Sequence, residues 1–357
     1  MKVLFHTRKD FLTRTGGDTV QILKTKQYLE KSGLRVDINT NNSSVEGYDI
    51  HHLFNVIPIN HVYDFIKSNP KLRIVISPIY WNLDEFNKKV LEKVFFKRAL
   101  AKLVRAIPFG KEIMDLNLVS KITGKTSTGL FHKKLSFCLN SSQLILPNSK
   151  MEGDHLSEEY DVSEKIIPVP NGVDSNIEPV KYDILRRKYN LPDKFLLCVG
   201  RIEYRKNQLA LLKAARNLGL NVVLVGRINE KERKYNNLLR DYKYIHLTQL
   251  TQSELYALYS GALAHVLPSW FETPGLVSLE AAFNGTQIVT TDRGCAKEYF
   301  GDHAFYCNPE DVSSVESAIE ACLKNPKDPI RLKKIIGDNY TWDIAAKKTM
   351  QAYESIL

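Results

Sequence analysis

The chain has 357 residues, of which 43% are hydrophobic and 25% are charged, and its formal net charge is +10. This length and composition are those of a soluble globular protein with room for two domains. The five cysteines are scattered and never spaced as C-x-x-C, so neither disulfides nor a zinc site are expected, and a reducing cytosol is the expected compartment. The segment Met1 to Thr7 lacks the pattern of a signal peptide, and no apolar run approaches the ~20 residues of a membrane span.

Strand and helix patterns alternate along the chain, which predicts parallel sheets with crossover helices. The turn formers from Pro168 to Asp174 predict a linker between two halves. We therefore predict two Rossmann-like α/β domains with a ligand at the carboxyl ends of their strands, in the cleft between them. A long helical stretch is predicted from Glu85 to Phe137. The predicted strands are Lys2–Thr7, Arg35–Asn39, Asp49–Asn55, Arg73–Ser77, Ser142–Pro147, Ile166–Pro168, Phe195–Gly200, Asn221–Val225, Tyr244–Leu247, Ala264–Leu267, Gln287–Thr290 and Ala304–Cys307.

The positive charge is concentrated between Lys88 and Lys134, where twelve Lys or Arg residues and three acids leave a local excess of nine. From Phe96 to Ile107 apolar residues recur at helical spacing with basic residues among them. Such a helix can lie on anionic lipid, or it can be a domain helix with a solvated basic face. The simpler interpretation of the helix is the second, but the whole region remains a candidate for docking a membrane or an anionic acceptor. Nucleic acid is not an expected partner, because no helix-turn-helix, zinc or RNP pattern is present.

The run from Trp270 to Glu280 carries the strongest functional signal. It follows an apolar strand pattern and precedes an apolar helix pattern, with Pro274 and Gly275 at the turn. A helix that begins near Gly275 would leave the backbone N–H groups of Gly275, Leu276 and Val277 free to bind an anion. The two acids of the run, Glu272 and Glu280, would flank that anion cradle, an arrangement that suits a ligand with phosphate and hydroxyl groups. By itself, however, a strand, a Pro-Gly turn and a helix are common in any α/β protein.

A basic motif follows the predicted strand that begins at Phe195. Gly200 lets the chain turn at the strand end, and Arg201 and Lys206 then stand at the mouth of the sheet. Two such cations near a helix N-terminus can hold a diphosphate without a metal ion. In the first half, Gly16 and Gly17 end the loop after the first strand and permit a close backbone approach to a ligand, although by themselves they favour the simpler interpretation of a helix-entry turn.

With these motifs the chain resembles the family 4 retaining glycosyltransferases of the GT-B architecture over nearly its full length. The resemblance implies a nucleotide-sugar-binding domain at residues 181–340, an acceptor domain at 1–168, a linker at 169–180 and a last helix at 341–357 that returns to the first domain. The motifs that carry it are Gly200-Arg201 with Lys206-Asn207, Phe271-Glu272 to Glu280, Pro170-Asn171-Gly172-Val173-Asp174, Thr291-Asp292-Arg293-Gly294 with Glu298, and Thr341-Trp342-Asp343.

By that resemblance, Arg201, Lys206 and Glu272 are the expected catalytic residues. The two cations would hold the donor's pyrophosphate and stabilise the leaving nucleoside diphosphate, while Glu272 would contact the donor sugar. Glu280 would bind the ribose. The remaining expected donor-binding residues are Gly16, Gly17, Gly200, Asn207, Phe271, Pro274, Gly275, Leu276 and Val277. Because no Asp-x-Asp motif is evident, no metal ion and no other cofactor are expected.

The chain departs from the family pattern at three places. The stretch Ser77 to Trp81 has no His where the family often places one, so Tyr80 or Trp81 would line the sugar or acceptor pocket instead. Gln249 stands where a Gly is usual, and Thr286 stands where a Pro is usual. The donor base, the sugar and the acceptor are therefore left open.

The expected function is transfer of a sugar from a nucleotide donor to a glycan or polyprenyl-linked acceptor, in a capsule or O-antigen type of pathway. The expected location is the cytoplasm, with peripheral attachment to the inner face of the cell membrane. Four alternatives remain: a nucleotide-sugar epimerase of the same fold, a phosphorylase, a non-catalytic sugar-nucleotide or glycan-binding subunit, and a basic membrane adaptor. A phosphorylase of the known type would need a pyridoxal-phosphate lysine and a longer chain.

Overall fold

A computed structural model describes residues 1–40, 45–82, 127–248 and 250–357 of the chain. Each half of the described chain is built on one parallel sheet whose apolar strands are covered on both faces by helices, as parallel strands require. Both sheets therefore have a hydrophobic core on each side. This arrangement confirms the predicted pair of parallel α/β units.

The first sheet contains five strands: β1 Lys2–His6, β2 Arg35–Asn39, β3 Ile50–Phe54, β4 Ile74–Ser77 and β5 Leu144–Ile145. Their order is β2-β1-β3-β4-β5, and every pairing is parallel. All five residues of β3 are buried, since this strand lies in the middle of the sheet. The helices described in this half are α1 Gly17–Lys31, α2 Asn60–Ser68, α3 Ser127–Ser141 and α4 Lys150–Tyr160.

The second sheet contains six strands: β6 Phe195–Val199, β7 Asn221–Val225, β8 Ile245–Leu247, β9 Ala264–Leu267, β10 Ile288–Thr291 and β11 Phe305–Cys307. Their order is β11-β10-β9-β6-β7-β8, again all parallel. The helices of this half are α5 Tyr182–Tyr189, α6 Gln208–Asn217, α7 Arg233–Leu239, α8 Gln252–Gly261, α9 Leu276–Phe283, α10 Ala296–Phe300, α11 Val312–Lys324 and α12 Pro329–Asn339.

One predicted strand is absent from the structure, and a predicted helical stretch lies mostly outside the described residues. The predicted strand Ile166–Pro168 is wrong: the segment forms an isolated bridge to Ile145 and donates from Ile167 to the carbonyl of Ile145, but no longer ladder forms because β5 is only two residues long. Of the long predicted helix, the structure describes only α3. The stretch Phe96 to Ile107 and most of the basic region Lys88 to Lys134 lie outside the described residues, as does Gln249.

The last helix, α13 Trp342–Glu354, returns to the first half of the chain as predicted. Trp342 and Tyr353 are buried in the core that covers one face of the first sheet. The hydroxyl of Tyr353 lies 2.6 Å from Nδ1 of His52, which is itself buried on β3. The chain therefore passes between the two halves twice, once near Asp174 and once before Trp342.

Those two crossings touch each other. The N–H of Val173 donates to the carbonyl of Tyr340 at 2.9 Å, and the N–H of Trp342 donates back to the carbonyl of Val173. A Cβ at Gly172 would lie 2.2 Å from the carbonyl carbon of Thr341, so only glycine fits between the two segments. The domain boundaries given above remain predictions.

Side chains also join the halves. The carboxylate of Asp174 accepts hydrogen bonds from Lys24 and Tyr28 of α1, while its backbone carbonyl accepts from Tyr256 of α8 at 3.0 Å. Burial alone would raise the pKa of Asp174, but the bonds from Lys24 and Tyr28 outweigh it and hold the pKa below its ordinary value. A single ionised residue therefore ties helices of both units together.

The contact at Gly172 predicts a stability effect. Gly172→Ala should lower the free energy of unfolding by about 1–3 kcal/mol, the range for an overpacked site, because backbone atoms rather than a flexible side chain meet the new methyl group. Gly129→Ala is the matched control. Gly129 lies at an exposed helical position, and a Cβ added there would have no other heavy atom within 4 Å. Urea unfolding of both variants is the measurement. Equal stabilities of the two variants would contradict the close contact.

Candidate active site

The strongest interaction among the candidate residues joins Lys206 to Glu272. Lys206 ends a short 3₁₀ turn, Tyr204–Lys206, and its Nζ lies 2.6 Å from Oε1 of Glu272. The two side chains are only 11% and 6% exposed. Burial would raise the pKa of Glu272, but the charges of Lys206 and Arg205 outweigh it and lower the pKa, so the carboxyl is ionised. The sequence places these residues 66 positions apart, and the sheet brings them together because β6 and β9 are neighbours.

The backbone of Glu272 is fixed by the segment after β10. Its carbonyl accepts from the N–H of Cys295 at 2.8 Å, and it forms an isolated parallel bridge with Gly294. Gly294 has φ +85°, and a Cβ there would lie 2.1 Å from the carbonyl oxygen of Glu272. The Thr291 to Gly294 motif therefore positions the acid through the main chain.

Helix α9 begins at Leu276, as predicted, and Gly275 is its N-cap with φ +84°. A Cβ on Gly275 would lie 3.4 Å from Cγ of Glu272, so the carboxylate packs against the first turn of the helix. The N–H groups of Leu276 and Val277 have no acceptor within the helix. The anion cradle expected at this turn is thus directly beside the Lys206–Glu272 pair. Pro274 is buried just before it.

The first half of the chain meets this site through its glycine loop. Nη2 of Arg201 donates to the carbonyl of Thr15 at 2.7 Å. A Cβ on Gly16 would lie 3.0 Å from the same Nη2, and a Cβ on Gly17 would lie 3.8 Å from Cδ1 of Leu276. The structure therefore brings the glycine pair, the cation and the helix start together across the cleft.

Glu280 has partners that the sequence analysis did not identify. Its carboxylate accepts from Nε2 of Gln252 at 2.8 Å and from the hydroxyl of Tyr259 at 3.3 Å. Burial raises the pKa of Glu280 to about 7, although these two hydrogen bonds oppose the shift. The sequence contains one feature related to the contact between Gln252 and Glu280. The capping pattern from Thr251 to Glu254 predicts that a helix begins at Gln252, but it does not identify Glu280 as the partner.

Three further predicted residues have structural neighbours that define their position. Gly200, with φ +149°, lies beside the aliphatic stem of Lys206. The ring of Phe271 lies 5.1 Å from the guanidinium of Arg205. The side-chain amide of Asn207 donates to the carbonyls of Pro268 and Pro309 at 3.1 and 2.8 Å. The amide thus holds two loops in place, and the role of Asn207 in donor binding stays a prediction.

A cavity of about 230 Å³ is lined by Phe271 and Gly294, the neighbours of the Glu272 backbone, and is called the cleft cavity below. Of the two aromatic residues proposed above for the sugar or acceptor pocket, Trp81 lines it, whereas Tyr80 is buried with its N–H bound to Glu152 at 2.7 Å. Both halves of the chain contribute walls. The lining residues are Trp81, Asn82, Met151, Trp270, Phe271, Asp292, Arg293 and Gly294.

The carboxylate of Glu298 joins the two halves beside this cavity. It accepts from the N–H groups of Lys150 and Met151, both at 2.8 Å. These are the first two residues of α4, so an acid of the second half caps a helix of the first. Met151 is thereby held against the second half of the chain as a wall of the cleft cavity.

Metal-binding clusters and membrane-spanning helices are both absent from the described ranges. No group of three His, Cys, Asp or Glu residues there could hold a metal ion. None of the helices in those ranges combines the length and apolar character that a membrane crossing demands. The expectation that no metal ion is needed stays a prediction.

Residues 182–337 match the family model described as glycosyl transferases group 1. Glycogen synthase of Mycobacterium tuberculosis is 27% identical over 239 residues, which cover 62% of this chain and 56% of that protein. The O-antigen chain mannosyltransferase RfbU of Salmonella typhimurium is 27% identical over 53% of this chain and 54% of its own length. The chain thus spans little more than half the length of these relatives.

The fold is similar to that of HepE from Anabaena, solved in complex with UDP-glucose. The TM-score is 0.74 with 14% sequence identity, over 99% of this chain and 100% of HepE. At this identity the likeness concerns the fold. It confirms the predicted GT-B architecture of two Rossmann-like units.

The Lys206–Glu272 pair predicts a double-mutant result. Lys206→Met should lower the free energy of unfolding by about 3 kcal/mol, because the buried carboxylate of Glu272 then keeps only the more distant guanidinium of Arg205, at 3.8 Å, as a charged partner. Adding Glu272→Gln should recover part of that loss, since no charge then remains unpaired. Urea unfolding of the two single variants and the double variant measures the coupling energy.

The control for this cycle is the exposed pair Lys324–Glu320 on α11, whose side chains are 70% and 43% exposed. Lys324→Met should change stability by no more than about 0.5 kcal/mol. Additive effects of the two substitutions at Lys206 and Glu272 would show that the buried pair is not coupled in solution.

Proposed function

We propose that the chain is a group 1 glycosyltransferase, the family whose model matches residues 182–337, and that it transfers a sugar from a nucleotide-sugar donor to a glycan or lipid-linked acceptor. The single observation that carries the proposal is the convergence of two cations, a helix N-terminus and an ionised acid beside the glycine loop of the other domain. Diphosphate, sugar hydroxyls and a close backbone approach are the features of a nucleotide sugar that these groups match.

The cations would stabilise the departing nucleoside diphosphate. Arg201 is a planar fork suited to paired phosphate oxygens, while Lys206 is a point charge with three donors. One donor of Lys206 is used by Glu272, which leaves the ammonium able to address phosphate as well. Charge that develops on the leaving phosphate is stabilised by such fixed cations and by the first-turn N–H groups of α9. No metal ion is required in this proposal.

The two acids would recognise hydroxyl groups. Glu272, ionised and beside the helix start, would accept from hydroxyls of the donor sugar. Glu280 would accept from the ribose, with Gln252 and Tyr259 holding its carboxylate in place. Retention of the anomeric configuration follows only from the family resemblance and belongs to the proposal.

The setting we propose is surface polysaccharide synthesis. It is supported by the relative named for an O-antigen chain, while the relative named for glycogen supports a glycan acceptor and the HepE complex with UDP-glucose supports a nucleotide-sugar donor. We also propose a cytoplasmic enzyme that contacts an anionic membrane surface through the basic region Lys88 to Lys134.

The donor site predicts which ligands bind. Calorimetry with UDP, ADP and GDP should find binding of at least one, and Arg201→Gln should weaken it about 10- to 100-fold, because a hydrogen bond to a charged group contributes about 1.5–3 kcal/mol. Arg240→Gln, at an exposed arginine of the same domain, should bind as the wild type does. Release of nucleoside diphosphate from a nucleotide sugar would then separate an enzyme from a non-catalytic binding subunit. The proposal fails if the wild type binds none of the three.

Glu280 predicts a pH dependence of donor affinity. With a pKa of about 7, its carboxylate is mostly ionised at pH 8 and mostly protonated at pH 6, and only the ionised form accepts from both ribose hydroxyls. The affinity for a nucleotide sugar should therefore fall about five- to tenfold from pH 8 to pH 6. Glu280→Gln should bind more weakly at pH 8 and should lose this pH dependence. A wild-type affinity that is constant over this range would argue against Glu280 as the ribose ligand.

A further inference from the structure

We propose that the cleft cavity binds one neutral pyranose ring of the acceptor, with Trp81 and Asp292 as its recognition residues. This inference rests on the proposed function and extends it to the second substrate. The proposal rests on the cleft cavity, which is lined by residues of both domains and lies next to the backbone of Glu272. Its walls are mainly aromatic, with a small number of polar groups.

The position of the cavity separates it from the phosphate end of the donor site. It shares Phe271 and Gly294 with the surroundings of Glu272, because Phe271 precedes the acid and Gly294 packs against its backbone. Arg201 and Lys206 do not line it. A ring in the cavity would therefore adjoin the sugar end of the donor and lie away from the cations that hold the diphosphate.

The aromatic walls suit the apolar face of a sugar ring. Trp81, Trp270 and Phe271 line the cavity from both sides of the cleft. The C–H groups on one face of a pyranose carry slight positive charge and pack against the electron-rich face of an aromatic ring. At about 230 Å³ the cavity is smaller than the ~300–1,000 Å³ of pockets that enclose drug-sized ligands. It has the size for one ring rather than an oligosaccharide.

The polar walls favour a neutral ligand. The guanidinium of Arg293 is engaged by Glu310 at 2.6 Å and lies 4.0 Å from Asp292, so its charge is balanced by two acids. Asp292, with a side chain that is 40% exposed, contributes a carboxylate to the cavity wall. Such an acid accepts hydrogen bonds from hydroxyl groups and repels phosphate or carboxylate. The cavity therefore fits a hydroxyl-rich, uncharged ring.

Transfer from this arrangement is chemically balanced. A hydroxyl oxygen of the acceptor ring forms a bond to C1 of the donor sugar while the bond from C1 to the phosphate oxygen breaks. The electron pair of the broken bond leaves with the nucleoside diphosphate, which also takes the hydroxyl proton. No oxidant, reductant or further reactant is needed.

The experiment separates the two substrates. Wild-type protein saturated with the nucleoside diphosphate that binds best is titrated with methyl pyranosides of glucose, mannose, galactose and N-acetylglucosamine, and tryptophan fluorescence is recorded. Two of the three tryptophans line the cavity, whereas Trp342 is buried against the first sheet. At least one pyranoside should change the emission, and it should accept sugar from UDP-glucose, ADP-glucose or GDP-mannose, as detected by mass spectrometry.

The variants then test the recognition residues. Asp292→Asn and Trp81→Ala should keep the nucleoside diphosphate affinity within about twofold, yet each should raise the KM for the pyranoside at least about tenfold, which is 1.4 kcal/mol. Asp338→Asn, an exposed acid on α12, should change neither quantity. Trp342→Phe should retain the fluorescence response to the sugar.

The outcomes distinguish the two proposals. Absence of nucleoside diphosphate binding by the wild type overturns the proposed function itself. Intact diphosphate binding with no response to any of the four methyl pyranosides overturns the neutral subsite alone. So does unchanged pyranoside KM in both Asp292→Asn and Trp81→Ala.

Discussion

The buried ion pair between Lys206 and Glu272 is the constraint on which the rest of the site depends. A carboxylate that is only 6% exposed is costly unless a partner compensates its charge, and Lys206 provides that charge from the 3₁₀ turn that follows β6. Each backbone segment around the pair has a glycine with a positive φ, at Gly200, Gly275 and Gly294, and at Gly294 a Cβ would also lie 2.1 Å from the carbonyl oxygen of Glu272. The separate motifs of the sequence therefore meet at one ion pair. Their glycines allow the main chain to pack closely around the charges of Lys206 and Glu272.

Besides the packing of α13 on the first sheet, polar contacts at the edge of the cleft join the two halves of the chain. Arg201 donates to the Thr15 carbonyl, Glu298 caps α4, and Asp174 binds Lys24. Such contacts break and re-form more readily than an apolar interface, because water can replace each partner. If Arg201 binds the donor diphosphate as proposed, the same side chain serves the substrate and the domain contact. Donor binding and the closeness of the domains would then be coupled through one guanidinium.

Much of the fold was readable from the sequence because buried parallel strands are continuous apolar runs, such as Phe195 to Val199. The convergence of Arg201, Lys206 and Glu272 was predictable too, since strand ends of one parallel sheet share an edge. The strand at Ile166 failed because pairing depends on the length of its neighbour, which periodicity does not reveal. The Gln252 contact to Glu280 and the walls of the cleft cavity come from distant segments with no spacing rule to connect them.

The departure from the family pattern after β4 is confined to one side of the site. Glu152, buried in the first domain, holds the N–H of Tyr80 and the N–H of Asn148, and this fixes the chain so that Tyr80 points into the core. The next residue, Trp81, then stacks against His155 and reaches the cleft. A loop that lacks the usual histidine thus places an indole opposite Asp292. The second half of the chain keeps the cations and acids of the family pattern, and the altered residue Trp81 lines the cleft cavity.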